Sequence, residues 1–458
     1  MHNNRDSGRH QRRRIEQRAR SIHSYDFFNL LTGPELLDRV DEQLPPHRER
    51  LYPPIDTLSL FMAQTLSADA SCQSAVDRHS IERVFNGLSP CSTNTGAYCK
   101  ARGRLPLQLM QALTRQTGAL ITAQAPAQWK WQGRSVKLID GTTVTLADTP
   151  DNQARYPQQT NQKPGLGYPI MRLVGLLCLA TGAILDTAIG PYAGKSSSEH
   201  ALLQMVMQSI SAGDVIVADC YYCTYFVIAL LQAQGADALF QQHQRRETDF
   251  RKGRRLSSKD HVVTWPKPKI RPNWLSQEQY DAAPETVTVR ELKVGSKILV
   301  TTLLSDAQAN RNALGALYQQ RWNIELDLRN IKTTLGLKTL DCKTAGMNEK
   351  QWWVGMLAYN LIRLLMLGSA KLADVLPRQL SFKHTVQLWL AWSQGGPPDA
   401  ENIEPLFALV AQQRVGKRPG RIEPRAIKRR SNSFPLLMQP RHLAREEIRR
   451  YGHPKKLK

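Results

Sequence analysis

Long apolar runs are missing from this 458-residue sequence. No stretch reads as long enough to cross a bilayer, and the arginine-rich N-terminus lacks the apolar segment of a secretory leader. The most apolar stretch, Leu173 to Ile189, is interrupted by Gly182 and reads as two buried strands. Cysteine is scarce too. Seven residues without framework spacing exclude a disulfide scaffold and suit a reducing cytoplasm. Cys220 and Cys223 form a CxxC pair, but with no second pair and no suitably spaced histidine a zinc site is not expected. Acid is the third shortage. The 39 Asp and Glu face 62 Lys and Arg, leaving a formal charge of +23, a field that draws nucleic acid or anionic surfaces.

That charge is concentrated at the ends, with a net +5 over residues 1–20 and +12 over residues 411–458. Such tails suit phosphate contacts that are salt-sensitive and indifferent to base sequence. The length allows about two to four domains around a sizeable core. We read residues 1–20 as a disordered basic leader and 21–128 as a helical domain punctuated by Pro and Gly. Within it, Ser92 or Thr93 caps a helix carrying Tyr98, Lys100, Arg102 and Arg104 up to the stop at Pro106. A basic helix of that kind suits a DNA groove.

From Arg134 the hydrophobic period changes. RSVKLIDGTTVTL reads as a strand with Asp140 at its end, followed by two strands joined near Gly182 and a helix over Ser198 to Ser211 capped by the SSSE run. DVIVAD is a short buried strand closing on Asp219, and a helix over Thr224 to Gln234 follows. Three strands, helix, strand, helix is the order of a ribonuclease H-like α/β fold. Residues 129–240 therefore form the first part of a catalytic core, 241–288 a β-rich insertion too long for a plain loop, 289–370 the second part of the core, and 371–458 a basic helical C-terminal region. Asp148, Asp151 and Asp214 read as structural, and no internal repeats are present.

The segment Ala316 to Leu337, ALYQQRWNIELDLRNIKTTLGL, is expected to be a single helix. At about 100° per residue, Tyr318, Arg321, Glu325 and Lys332 fall within about 60° of one another beside its apolar face. The spacing Tyr, two residues, Arg, three residues, Glu, six residues, Lys resembles the signature of the insertion-sequence-four family of bacterial DDE transposases. LIDGTTV, ADCYYCTYF, WPKPKIRPNWL, PETVTVRE, LAYNLIRLLM and GRIEPRAIKRR extend the resemblance from about Arg20 to Pro440.

The resemblance implies a transposase that moves an insertion sequence by cut and paste, through metal-dependent phosphodiester hydrolysis and strand transfer at terminal inverted repeats. Asp140, Asp219 and Glu325 would be the catalytic acids. Hard carboxylate oxygens suit two Mg²⁺ or Mn²⁺ ions per site, which activate the nucleophile and stabilise the leaving oxygen. Arg321 and Lys332 would hold phosphates of the transposon end, with Tyr318 on a phosphate or sugar. The family also points to DNA contact by the helix bearing Tyr98, Lys100, Arg102 and Arg104, and to Trp265 or Trp274 as a trap for a flipped base. Implied partners are double-stranded DNA, both terminal repeats and target, and a second copy of the chain in a synaptic homodimer. The expected setting is the cytoplasm, on the nucleoid, with no membrane association. One departure stands out: many family members carry Arg directly after the second Asp, where this chain has Cys220. The competing expectation is a catalytically degenerate DNA-binding descendant.

Overall fold

Proline sets the N-terminal helices where the punctuation predicts. The computed structural model describes residues 44, 51–85, 87–194, 197–394, 403–416 and 439–452. Helix α1 (Pro54–Leu66) starts with Pro at its first turn, followed by α2 (Cys72–Phe85), α3 (Gly96–Arg104) and α4 (Leu107–Ala123), the last entered through Pro106. Proline suits a first turn because the N–H it lacks would have no helical partner there. The leader over residues 1–20 and the GRIEPRAIKRR stretch lie outside the described residues.

Among the described residues, ten strands form one sheet. Strands β1 (Val136–Leu146), β2 (Ile170–Cys178) and β3 (Ile184–Pro191) are antiparallel neighbours, with the short helix α5 (Pro150–Arg155) between the first two. Helix α6 (Glu199–Val206) leads to β4 (Val215–Ala218), and α7 (Tyr225–Ala233) to β5 (Asp237–Gln241). Strand β4 runs parallel to both β1 and β5, the crossovers being helical as parallel pairing requires. The expected pair of buried strands about Gly182 is present as β2 and β3.

The expected insertion is not a separate body. Strands β6 (Arg254–Ser257) and β7 (Asp260–Pro266), helix α8 (Gln277–Ala282), then β8 (Thr286–Val294) and β9 (Lys297–Thr301) make a meander whose last strand pairs antiparallel with β5. The sheet therefore runs β3-β2-β1-β4-β5-β9-β8-β7-β6 without interruption. Strand β8 crosses the boundary expected at 288, because its backbone pairs with β7 on one edge and β9 on the other. Its buried Arg290 makes a two-pronged contact with Asp260 of β7 at 2.6 and 2.8 Å.

Helices α9 (Arg311–Gln319) and α10 (Trp322–Arg329) precede the two-residue β10 (Thr339–Leu340), which pairs parallel with the far end of β1. Next comes α11 (Ala345–Leu372), 28 residues long and apolar enough to cross a membrane by length and composition; 94% of its most apolar window is buried inside the fold. Asn360 and Arg363 interrupt its apolar run, and both serve the core. Asn360 acts as a strand surrogate, accepting from Ile184 N–H at 2.8 Å while donating to the carbonyls of Ile184 and Thr114. It joins α11, β3 and α4 at one point.

The region after 371 is also more than a basic tail. Helices α12 (Phe382–Gln394) and α13 (Glu404–Gln412) add Phe382, Val386, Trp389, Leu406 and Val410 to the main core, and only α14 (Arg441–Tyr451) is a charged helix. That core covers one face of the sheet, with Leu138, Val144, Val215 and Val217 pointing into it. The alternate residues Ile139, Ile216 and Ala218 face a second core built on α6 and α7. The period of two puts Asp140 and Asp219 on the first face.

Helix α4 approaches β3 so closely that a Cβ on Gly118 would lie 2.2 Å from the Ile184 carbonyl oxygen. Gly103 in α3 has nothing within 4 Å of the same position. Gly118→Ala is expected to cost about 1–3 kcal/mol of stability, whereas Gly103→Ala should gain up to about 1 kcal/mol. Urea midpoints of the two variants check this, and equal midpoints would contradict the packing.

Candidate active site

Strand β1 is shared between two parallel partners. It pairs with β4 from Val136 to Leu138 and with β10 only from Thr145, leaving that edge unpaired between them among the described residues. Asp140 lies in this gap. It is not at the strand's end, as the sequence suggested, because pairing with β2 on the other edge continues from Lys137 to Thr145. Asp219 follows the last residue of β4, so the two aspartates flank the fork where the parallel strands part. Backbone amides orient both: Gly141 N–H donates to Asp140 Oδ1 and Tyr221 N–H to Asp219 Oδ1, each at 2.9 Å.

The helix expected over 316–337 is three pieces. Helix α9 ends at Gln319, α10 begins at Trp322, and residues Asn330–Thr334 form a π turn. The bonds Arg321 N–H to Tyr318 O and Ile324 N–H to Arg321 O tighten the junction, while the π turn loosens the far end. The four side chains therefore part company. Tyr318 is buried and donates to Gln241 Oε1 at 3.3 Å, Arg321 reaches toward Asp140 while pairing with Glu325, and Lys332 donates to Thr142 Oγ1 at 3.1 Å. Burial pushes the Tyr318 phenol up to about 12 and lowers the Lys332 ammonium.

Arg321 sits between two of the acids. One nitrogen is 3.0 Å from Glu325 Oε1, the other 4.0 Å from Asp140 Oδ2. It does not neutralise the site. Burial first, then the charge of Asp219, pushes the Asp140 carboxyl up to about 7, against the opposing pull of Arg321. A fourth acid adds to the repulsion. Glu199, the first residue of α6, packs so tightly under Gly141 that a Cβ there would lie 2.3 to 2.6 Å from its carboxyl atoms. Tyr222 hydroxyl donates to Glu199 Oε2 at 3.1 Å, and burial raises the acid's pKa. The sequence reading saw Glu199 only as part of a helix cap. The signal it passed over was the glycine beside Asp140, which marks a close approach rather than a turn.

The helix bearing Arg321 and Glu325 is held from behind. Asp327, two residues on and buried, pairs with Arg363 of α11 and, at 2.7 Å, with Arg378. Arg378 also donates to the carbonyls of Leu179 and, at 3.0 Å, Cys178, at the end of β2. The three decoy acids have local tasks: Asp151 accepts from the Ala345 amide at the start of α11, Asp148 from Gln153, and Asp214 pairs with Lys137 at 2.6 Å.

Several expected DNA contacts lie elsewhere. Tyr98 and Arg102 are buried within the N-terminal helices, where both reach Gln64 Oε1 and Arg102 also reaches Cys72 Sγ at 3.0 Å. Their spacing of four places them on the inner face of α3, leaving Lys100 and Arg104 exposed. Trp265 is 3% exposed, donates to Glu291 Oε1 at 2.8 Å and carries the Arg246 guanidinium 3.6 Å over its ring, so it is a core residue of the meander. Trp274 is half-buried and stacked on His200. All seven cysteines are free, and burial pushes the Cys223 thiol up to about 12.

Whether the site suits a divalent cation can be judged from its donors. Asp140 and Asp219 offer hard oxygens, and burial together with the neighbouring charge of Asp219 raises the Asp140 pKa. As positioned, no three metal-binding side chains are grouped among the described residues. Glu325 is the acid drawn aside, by Arg321. The donors fit such an ion in kind.

The pKa displacement has a sign that can be checked. An acid raised from 3.8 to about 7 on folding binds more protons in the native state, so its contribution to stability falls as pH climbs through that window. In chelator, Asp140→Asn should match wild-type stability near pH 4 and exceed it above pH 7 by up to about 4 kcal/mol, at about 1.4 kcal/mol per unit. Thermal midpoints across pH test this, and a pH-independent difference would rule it out.

A family model described as a transposase DDE domain matches residues 131–361, the span from the start of the sheet into α11. The transposase InsG for insertion sequence element IS4 of Escherichia coli (strain K12) is 28% identical over 357 residues, covering 74% of this chain and 77% of that protein. The putative transposase InsZ of the same strain is 26% identical over 142 residues, 31% of this chain and 46% of its own length. Among solved structures, the piggyBac transposase synaptic complex with hairpin DNA has a TM-score of 0.42 at 10% identity, covering 88% of this chain and 87% of that one.

Proposed function

The chain belongs to the family of transposases with a DDE domain, and from that premise we propose that it moves an insertion sequence by cut-and-paste transposition, cutting and rejoining DNA at terminal inverted repeats. One observation carries the assignment of the site: two aspartates flank the fork between parallel strands, and Arg321 links the first of them to Glu325. In this reading Asp140, Asp219 and Glu325 are the acidic triad of a ribonuclease H-like core, the order β3-β2-β1-β4-β5 with three antiparallel and then parallel strands being the one that fold requires.

Asp140, Asp219 and Glu325 would hold Mg²⁺ or Mn²⁺. Such ions, when bound in a pair, activate the attacking oxygen and stabilise the leaving one. The remaining work falls to the chain's own groups. Arg321 exchanges its carboxylate partners for a backbone phosphate, to which its planar fork is suited, and Lys332 supplies a point charge from the π turn. Asp327 keeps the glutamate helix at its distance from β1. Lys100 and Arg104 are the members of the α3 set left free for phosphate contact. Two copies of the chain pair two ends in this scheme, on nucleoid DNA. Cys220 replaces an arginine common in the family without removing an acid, so a catalytically silent descendant is not favoured.

With the element's own terminal repeat and Mg²⁺, Asp219→Asn and Glu325→Ala should each lower cleavage by at least about 10³-fold, equivalent to about 4 kcal/mol of barrier. Binding of the same DNA in chelator should change by less than about twofold, well under 1 kcal/mol. Residual cutting near the wild-type rate would remove these residues from the chemistry. Lys332→Ala should lower the slope of log affinity against log salt by about 0.9, one phosphate's worth. An unchanged slope would deny Lys332 that contact.

A further inference from the structure

Cys220 and Cys223 occupy the turn between β4 and α7, directly after Asp219. The Cys223 N–H donates to the Cys220 carbonyl at 3.3 Å and closes a four-residue turn. Such a turn holds its first and last Cα atoms within about 7 Å, close to the separation a disulfide spans. Among the described residues no third metal-binding side chain is grouped with the pair. A CxxC between the strand and helix of a βαβ unit then reads as a redox couple.

The two thiols have unequal access to solvent. Cys223 is 4% exposed, and burial holds its thiol protonated. Cys220 is half-buried. It also stands near the catalytic cleft, since burial first, and in smaller part the charges of Asp219 and Cys220, raise the Tyr318 phenol. A small oxidant meets Cys220 first and finds Cys223 behind it, the order of an attacked thiol and its resolving partner.

The two ends of the turn are also held unequally. Tyr222 is 1% exposed, with its hydroxyl on Glu199 and its carbonyl accepting from Thr224 N–H at 2.8 Å. Thr224 in turn caps α7 by accepting from Val227 N–H. Cys223, between these two anchors, is fixed to the head of the helix. Cys220 is joined instead to Asp219, whose Oδ1 accepts from Tyr221 N–H. Bringing the sulfurs to about 2.0 Å therefore displaces the aspartate side of the turn.

We propose that Cys220 is a site of peroxide modification, ending in a Cys220–Cys223 disulfide that pulls Asp219 out of position. The Cys220 sulfur takes one oxygen of hydrogen peroxide as the O–O bond breaks, and the thiol proton leaves with the other oxygen as water. The Cys223 sulfur then attacks that of Cys220, the S–O bond breaks, and the hydroxyl departs as water with the Cys223 proton. Both thiols are thereby oxidised, and the peroxide is reduced to water. Formation of the bond is independent of the transposase reading, whereas its effect on cleavage rests on that reading.

The test exposes the reduced full chain to hydrogen peroxide, alkylates it and digests it with trypsin. Residues 196–245 form one fragment with Cys220 and Cys223 as its only cysteines. That fragment should become two hydrogens lighter and lose both alkylation sites, and a thiol reductant should restore them. In Cys223→Ser, dimedone should label Cys220; in Cys220→Ser, Cys223 should stay alkylated at the same dose. With the element's own terminal repeat, oxidation should lower wild-type cleavage by about 10²-fold, the effect of a misplacement of about 1 Å. Cys220→Ser should cut as the reduced wild type does and keep its rate in peroxide. The proposal is overturned if both cysteines stay alkylated while others oxidise, or if Cys220 bonds to a cysteine elsewhere. A disulfide that leaves cleavage unchanged overturns the displacement of Asp219. A reduced chain that never cuts the repeat overturns the transposase reading, and the fragment still decides the bond.

Discussion

Asp327 is a buried carboxylate shared by two guanidinium groups, and the placement of the helix that carries Glu325 depends on it. Arg363 comes from the long core helix α11 and Arg378 from the segment that closes the end of β2, so a single acid ties α10 to both. Burying three charges carries a large desolvation cost that only complete pairing offsets. Removal of one partner leaves an unmatched charge, worth about 3–5 kcal/mol in comparable cases. Such a cluster is a poor source of net stability but fixes one arrangement, because an alternative packing of α10 would strand a charge. Glu325 and Arg321 inherit that geometry from two and six residues away.

The same separation between anchoring and exposed groups explains what could be read in the sequence. Asp140 and Asp219 stand out in the sequence because one lies within and the other just after an apolar strand, and the alternation of β1 and β4 puts both on one face. Tyr98 and Arg102 were misread because a basic helix has two faces and composition does not tell which is inward. In α3 the inner face holds an arginine whose two terminal nitrogens reach Gln64 and Cys72 and whose guanidinium lies over the rings of Phe61 and Tyr98. Trp265 was misread for a related reason. The family resemblance offers either tryptophan of this stretch as a base trap, but the N–H of Trp265 has a buried partner in Glu291, which lies on a different strand and is invisible to local pattern.

The meander shows a limit of another kind. Its composition differs from that of the flanking segments, and the eye separates it from them; hydrogen bonding does not. Strand β5 would end the parallel sheet with an unpaired edge, and β9 covers that edge while β8 and β7 extend the sheet further. The break in composition reflects two-sided burial in β4 giving way to partial exposure in β6 and β7. Likewise the signature stretch, read at a uniform 100° per residue, could not reveal that a tightened junction and a π turn redirect its two ends. Those irregularities are what bring Lys332 to β1.

The electrostatics of the site run against those of the chain. A sequence of net charge +23 places three acids near one strand fork and a fourth beneath it, with Arg321 between two of them. The long-range positive field favours the approach of a polyanion, yet at contact a phosphate would meet carboxylates. Burial first, and then the charge of Asp219, raise the Asp140 carboxyl to about 7, so a proton relieves part of the crowding. Arg321 cannot serve the acids and a phosphate together with the same nitrogens. The hard carboxylate oxygens at the fork are donors of the kind a divalent cation takes.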